Sequence, residues 1–173
     1  PEKDLIDKWI HQFHIQSDQV VKLGYVSTVQ LATLYQNCNL FVFPSFHEGF
    51  GLPVLEAMTC GAPVIGSNTT SVPETIAKPS ALFNPYDIDE ISKLIEKSLT
   101  DSAFYQELVE NSIYQSTKYS WDLTAEKVLN SLCSVLSHNQ RQQNIDNLEQ
   151  IQIDAFRILI DNIRSTPIFN VEN

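Results

Sequence analysis

The chain has 173 residues, 43% of them hydrophobic, with 5 Gly and 8 Pro, a balance that suits a globular protein of about one domain and excludes a collagen-like or disordered chain. Its 21 acidic against 11 basic residues give a formal net charge of -10. That charge is spread along the sequence with no basic tract, which argues against nucleic acid or an anionic membrane surface as partner.

Pro1-Glu2-Lys3-Asp4 is not a signal peptide and not an initiator start, and a helix pattern begins at once, so a piece of a longer, cytoplasmic protein is expected. Leu5, Ile6, Trp9, Ile10 and Phe13 recur at helical spacing over residues 4–13, with Trp9 expected in the core. Val20-Val21-Lys22-Leu23-Gly24-Tyr25-Val26 is short and β-rich, which suits a strand running into a loop. Ser27 or Thr28 is placed to cap a helix whose stripe is Leu31, Leu34, Tyr35 and Cys38. Leu40-Phe41-Val42-Phe43 is apolar on both faces and fits a central parallel strand covered by helices on each side.

Pro44 to Gly51 is a turn-rich loop, and Pro53 opens a helix through Val54, Leu55, Ala57 and Met58 that Gly61 ends. Pro63-Val64-Ile65-Gly66 is the next strand, Ser67 to Ser71 a polar loop, Pro73 to Ala77 a helical turn, and Ala81-Leu82-Phe83 a fourth strand at the sheet's edge. From Ile88 on the pattern is helical, over 88–99, 102–117 and 122–137, the last after a Tyr119-Ser120-Trp121 corner with Trp121 on an apolar face. Asp87, Asp89 and Glu90 are helix-start charges. Strands alternating with helices predict an α/β fold with a doubly wound parallel sheet, residues 1–137 forming the domain.

Residues 138–173 differ in kind: a polar joint around Asn139 to Asn144, then a stripe of Leu148, Ile151, Ala155, Phe156, Leu159 and Ile163, with Ile153 and Ile160 off it. Apolar residues on two sides predict that 145–164 packs against this domain's own helices, another domain or a second chain. Cys38, Cys60 and Cys133 have neither CxxC spacing nor an even count and are expected as small buried apolar residues. No metal set is indicated, His11 and His14 having no third ligand nearby.

In a doubly wound sheet ligands bind beyond the carboxyl ends of the strands, which selects the loops 24–28, 44–52 and 66–74. The densest is Pro44-Ser45-Phe46-His47-Glu48-Gly49-Phe50-Gly51-Leu52-Pro53-Val54-Leu55-Glu56. Two glycines bracket an aromatic just before a helix, so backbone N–H groups near Gly49 to Leu52 lie at the helix's positive end, suited to a phosphate or sugar hydroxyls. Glu48 before the turn and Glu56 inside the helix place two carboxylates near one ligand, one by the reacting bond and one accepting from hydroxyls. A tight turn and a solvated helix residue would leave the same spacing.

The stretch PSFHEGFGLPVLEAMTCGAPVIGSNTTSVPE resembles the signature of the retaining glycosyltransferases of family four, which have the two-domain GT-B fold and use nucleotide-diphosphate sugars. Their Glu, seven residues, Glu spacing is matched by Glu48 and Glu56, and the likeness runs from Gly24-Tyr25-Val26 to Tyr119-Ser120-Trp121. Gly66 to Glu74 is especially similar to bacterial O-antigen and polysaccharide mannosyltransferases. The resemblance implies the Rossmann-like, C-terminal donor-binding half of such an enzyme. Glu48 is then the active-site carboxylate facing the donor sugar, Glu56 the holder of the ribose hydroxyls, Gly49, Phe50, Gly51 and Leu52 the contact to sugar and phosphate, and Tyr25 and Val26 the border of the base. It implies no cofactor beyond the donor, GDP-mannose being the first choice and UDP-glucose or a UDP-hexosamine the alternative. The glycan acceptor would sit on an N-terminal domain outside this sequence, and any contact with the inner membrane would be made elsewhere in the full-length protein.

One departure is plain. Such enzymes neutralise the diphosphate with an upstream Arg and Lys, whereas between Trp9 and Ala77 this chain has only Lys22. The other readings are a non-catalytic sugar-nucleotide-binding or assembly module and a related GT-B epimerase. The intact Glu48 and Glu56 favour the transferase.

Overall fold

The computed structural model describes residues 3–16, 18–139, 153–154 and 156–158. The chain divides into two compact units, residues 1–116 and 117–173.

The first unit opens with helix α1 (Lys3–Gln12). The expected stripe forms, yet Leu5, Ile6, Trp9 and Phe13 are 41–65% exposed. Trp9 is thus not a core residue, because no described element covers this side of the helix. Residues 20–26 form no strand. A β-prone sequence becomes a strand only with a hydrogen-bonded neighbour, and these residues are laid against no sheet edge.

Helix α2 (Thr28–Asn37) is capped by Ser27, whose hydroxyl accepts from Gln30 N–H while the Gln30 side chain accepts from Ser27 N–H at 2.9 Å, a reciprocal box that fixes the start. Strand β1 (Phe41–Phe43), helix α3 (Leu52–Thr59), strand β2 (Val64–Ser67), helix α4 (Val72–Ile76), a 3-10 turn (Pro79–Ala81) and strand β3 (Leu82–Phe83) follow. The unit closes with α5 (Ile88–Thr100) and α6 (Ser102–Ser116), begun by the side chains of Asp87 and Asp101, each of which accepts N–H bonds at 3.0 Å.

The sheet is parallel throughout, in the order β1-β2-β3, with Phe41 opposite Val64, Phe43 opposite Gly66, Gly66 opposite Leu82 and Ser67 opposite Phe83. The α/β class and parallel sheet are as expected, with one correction. The central strand is β2, all four of whose residues are buried, and β1 is an edge strand of partly buried residues. Sequence marks both strands as apolar, and only pairing decides which is flanked on each side. The core comprises Val54, Ala57 and Met58 of α3, Val64 and Ile65 of β2, Val72 and Ile76 of α4, Phe83 of β3, and Phe104 and Leu108 of α6, each at most 4% exposed.

In the second unit, α7 (Trp121–Asn139) starts at Ser120, whose hydroxyl accepts from Leu123 N–H at 3.1 Å. Trp121 is 60% exposed, contrary to the core role expected of it. The cysteines also depart from expectation: Cys38 and Cys60 are partly buried and Cys133, on α7, is exposed. The polar joint and most of 145–164 lie outside the described residues; Ile153, Asp154 and 156–158 are helical, with Ile158 62% exposed.

Candidate functional site

β1 delivers the chain into the loop 44–50 at its carboxyl end. Gly51 then turns it with φ +88, a left-handed conformation that favours glycine, and α3 begins at Leu52 with Pro53 in its first turn. No side chain caps this helix start. Glu48, partly buried in the middle of the loop, is gripped three ways. Ser45 Oγ donates to its Oε1 at 2.8 Å, its own N–H donates to Thr70 Oγ1 at 3.0 Å, and its carbonyl accepts from Ser71 Oγ at 3.0 Å.

Two of those hydroxyls come from the segment after β2, as do two more that staple the same loop. Thr69 Oγ1 donates to the Ser45 carbonyl at 3.2 Å, and Thr75 Oγ1, buried, donates to the Phe50 carbonyl at 2.9 Å. Gly66 makes this approach feasible. A Cβ there would come within 2.7 Å of Ile76 Cδ1 and 2.9 Å of Val72 Cγ1, so only glycine lets α4 lie this close to β2 and bring Ser71 and Thr75 to the Glu48 loop.

Glu56 lies on the exposed side of α3, four residues beyond Leu52, and its carboxylate faces the Tyr35 phenol where α2 packs on α3. Burial first, then the charge of Glu56, pushes the Tyr35 hydroxyl up to about 12. Burial likewise raises the thiols of Cys38 and Cys60, with Glu56 adding to the effect on Cys60. Leu52 is 50% exposed. Glu48 to Glu56 are thus brought together as one continuous turn and helix start.

Tyr25 and Val26 lie in the irregular run before Ser27 and follow no strand, and Tyr25, at 96% exposure, packs against almost nothing. Lys22, expected mid-strand, stands in the same run with its ammonium on the Asp7 carboxylate of α1. Glu48 and Glu56 are therefore not matched by a lysine or arginine from Ile10 to Ala77 that is not already engaged by a carboxylate.

Sequence reading missed three features. The hydroxyls of Thr69, Thr70, Ser71 and Thr75 were visible only as a polar loop and a helical turn, although five Ser, Asn and Thr residues in a row after a strand was a signal of side chains bonding to backbone. Tyr35 belonged to an apolar stripe that hid its hydroxyl. Phe46 and Tyr86, on the loops after β1 and β3, meet with ring centroids 4.9 Å apart and planes tilted by 33°, a pairing across 40 residues that no local pattern encodes. Among the described residues no three His, Cys, Asp or Glu gather for a metal ion, and no helix is long and apolar enough to cross a membrane.

Residues 1–115 match the family model of the Glycosyl transferases group 1. The serotype-specific mannosyltransferase WbdA of Escherichia coli is 46% identical over 128 residues, 74% of this chain and 16% of WbdA. The O-antigen chain mannosyltransferase B of Escherichia coli is 41% identical over 63% of this chain and 29% of its own length. The chain thus spans about a sixth of the WbdA sequences and under a third of the other relative. Among solved structures, the sucrose-phosphate synthase of Thermosynechococcus elongatus superposes with a TM-score of 0.68 at 28% identity, over 78% of this chain and 35% of the synthase.

Proposed function

Because the chain belongs to the group 1 glycosyl transferases, we propose that it is the donor-binding half of a retaining glycosyltransferase that moves a hexose, mannose first, from a nucleotide-diphosphate sugar to a growing polysaccharide or lipid-linked glycan. The single observation behind this reading is the run from Glu48 to Glu56, a fixed carboxylate, a glycine turn and an uncapped helix start at the carboxyl end of a parallel sheet. The mannosyltransferase names of the two Escherichia coli relatives support mannose as the sugar, and GDP-mannose is the donor proposed to carry it.

In this reading the bond from the anomeric carbon to the diphosphate oxygen breaks, the oxygen keeping the electron pair, while an acceptor hydroxyl forms the new bond and passes its proton to the departing diphosphate. Glu48 faces the anomeric carbon, where its fixed charge stabilises the positive charge that develops as the bond lengthens. The amides of Gly49, Phe50, Gly51 and Leu52 meet the sugar and phosphate, Glu56 accepts from the ribose hydroxyls, and Tyr25 and Val26 border the base. An uncapped helix start supplies only about half a unit charge, so cations from outside this sequence neutralise the leaving diphosphate. The acceptor binds to an N-terminal domain, and the donor is the only small molecule required. The three free cysteines suit a reducing, cytoplasmic setting.

Calorimetric titration of this chain with GDP-mannose, UDP-glucose and UDP-N-acetylglucosamine tests the reading. Binding that prefers GDP-mannose and is lost in Glu56→Ala supports it; equal, weak binding of all three that ignores the substitution removes the donor assignment.

A further inference from the structure

Three non-glycine residues among those described have positive φ: His14 at 52, Thr70 at 51 and Ala77 at 50. Ala77 closes α4, with its N–H on the Pro73 carbonyl, and His14 follows the end of α1, so both sit where helices commonly finish in the left-handed region. Thr70 ends no helix. It is also β-branched, the class of side chain for which this region is a true outlier, and strain of that kind persists where surrounding contacts hold it.

What holds it is Glu48. In this strained conformation Thr70 Oγ1 accepts the Glu48 N–H at 3.0 Å, and the next residue, Ser71, donates to the Glu48 carbonyl at 3.0 Å. Both peptide groups of one residue are thereby fixed from the neighbouring strand's loop, which fixes the direction of its Cα–Cβ bond. Ser45 then restrains the carboxylate end at 2.8 Å. Thr69 and Thr75 staple the same loop at the carbonyls of Ser45 and Phe50, not at Glu48.

The geometry points to Thr70 as a positioning residue for the Glu48 carboxylate: its strained backbone and hydroxyl set the angle at which Glu48 meets the donor. The inference rests on the reading of Glu48 as the active-site carboxylate. Glycine or asparagine would take this conformation with less strain but without the same hydroxyl, and valine would keep the shape and the strain without the acceptor.

The test compares Thr70→Val, Thr70→Gly and Thr70→Ser in the full-length native protein, with Thr69→Val and Glu48→Gln alongside. Thr70→Val is expected to lower kcat about 10–100-fold, the cost of misplacing a reacting group, while the donor KM stays within about twofold. Thr70→Ser restores most of the rate. Thr70→Gly keeps or raises the thermal midpoint while kcat falls, a divergence that a merely structural staple would not give, and Thr69→Val costs stability with a smaller loss of kcat. In this chain alone, hydrogen exchange at the Glu48 amide quickens in Thr70→Val and not in Thr70→Ser. Normal kcat in Thr70→Val or Thr70→Gly beside an inactive Glu48→Gln overturns the positioning role and leaves the assignment of Glu48 standing. So does a loss of rate that follows stability and is not rescued by serine. Full activity in Glu48→Gln removes the carboxylate's role and the positioning role with it.

Discussion

The Tyr35 phenol and the Glu56 carboxylate face each other across the contact of α2 with α3, so the second glutamate of the Glu48–Glu56 pair has an aromatic hydroxyl beside it. Burial is the larger cause of the raised Tyr35 value, from 10.0 to about 12, and the glutamate's charge comes next. A raised value means that the fold favours the protonated phenol. The stability it lends is full below the unfolded value near 10 and is lost as pH climbs toward 12.

An alkaline titration followed by phenolate absorbance should therefore show a late step, toward pH 12, that belongs to Tyr35. Tyr35→Phe removes that step, and Glu56→Ala moves it only part of the way back, because burial remains. A titration in which Tyr35→Phe removes no late step would contradict the packing of α2 on α3.

In the full-length native protein, Glu48→Gln should cut transfer at least about a hundredfold, as loss of a catalytic group does, with the fold intact. Near-normal rate with an unchanged product would end the assignment. Glu56→Ala should instead act on the donor, weakening nucleotide binding by about 1.5–3 kcal/mol, the worth of hydrogen bonds to a charged group. An unchanged donor dissociation constant would take Glu56 out of the site.

The 173-residue chain alone should bind the donor weakly and transfer nothing. Lys22, the one lysine or arginine between Trp9 and Ala77, is engaged by Asp7 and stands in the run before α2. Mannose transfer by the isolated chain to any oligosaccharide acceptor would refute this.

Gly66→Ala should destabilise the first unit by about 1–3 kcal/mol, the usual cost of forcing a methyl group into a packed core. Its Cβ would meet Ile76 and Val72, so the denaturant midpoint falls and the hydroxyls after β2 lose their grip on the loop. An unaltered midpoint would mean that α4 can move away from β2 without cost.

The elements were legible where local signals are strong. Ser27 and Asp87, both expected at helix starts, begin α2 and α5 through their own side chains. The turn, glycine and helix start between Glu48 and Glu56 were legible because they lie in sequence. Residues 20–26 misled because strand formation is a property of a pair of segments, and Val20 to Val26 carry only one member's half of it. The exposure of Trp9 and Trp121 was equally hidden, since a helical stripe states what a face needs and not what covers it. Thr70 lay beyond reach altogether: its meaning depends on a backbone angle and on a residue 22 positions earlier.

Asn111 of α6 donates to the Ile76 carbonyl at 2.8 Å, and α6 packs on α3, α4 and β2. The ribosome releases the Glu48 loop and the threonines that hold it before it releases this helix. A nascent chain that has emerged only as far as Asp101 carries every candidate residue of the site and lacks the helix against which α3 and α4 settle. The site therefore takes its shape only once residues 102–116 are free to dock. A pause in translation just before them would prolong the exposure of Val54, Met58 and Val72 to chaperones and proteases, and substitutions in α6 would lower the yield of competent protein without touching the site.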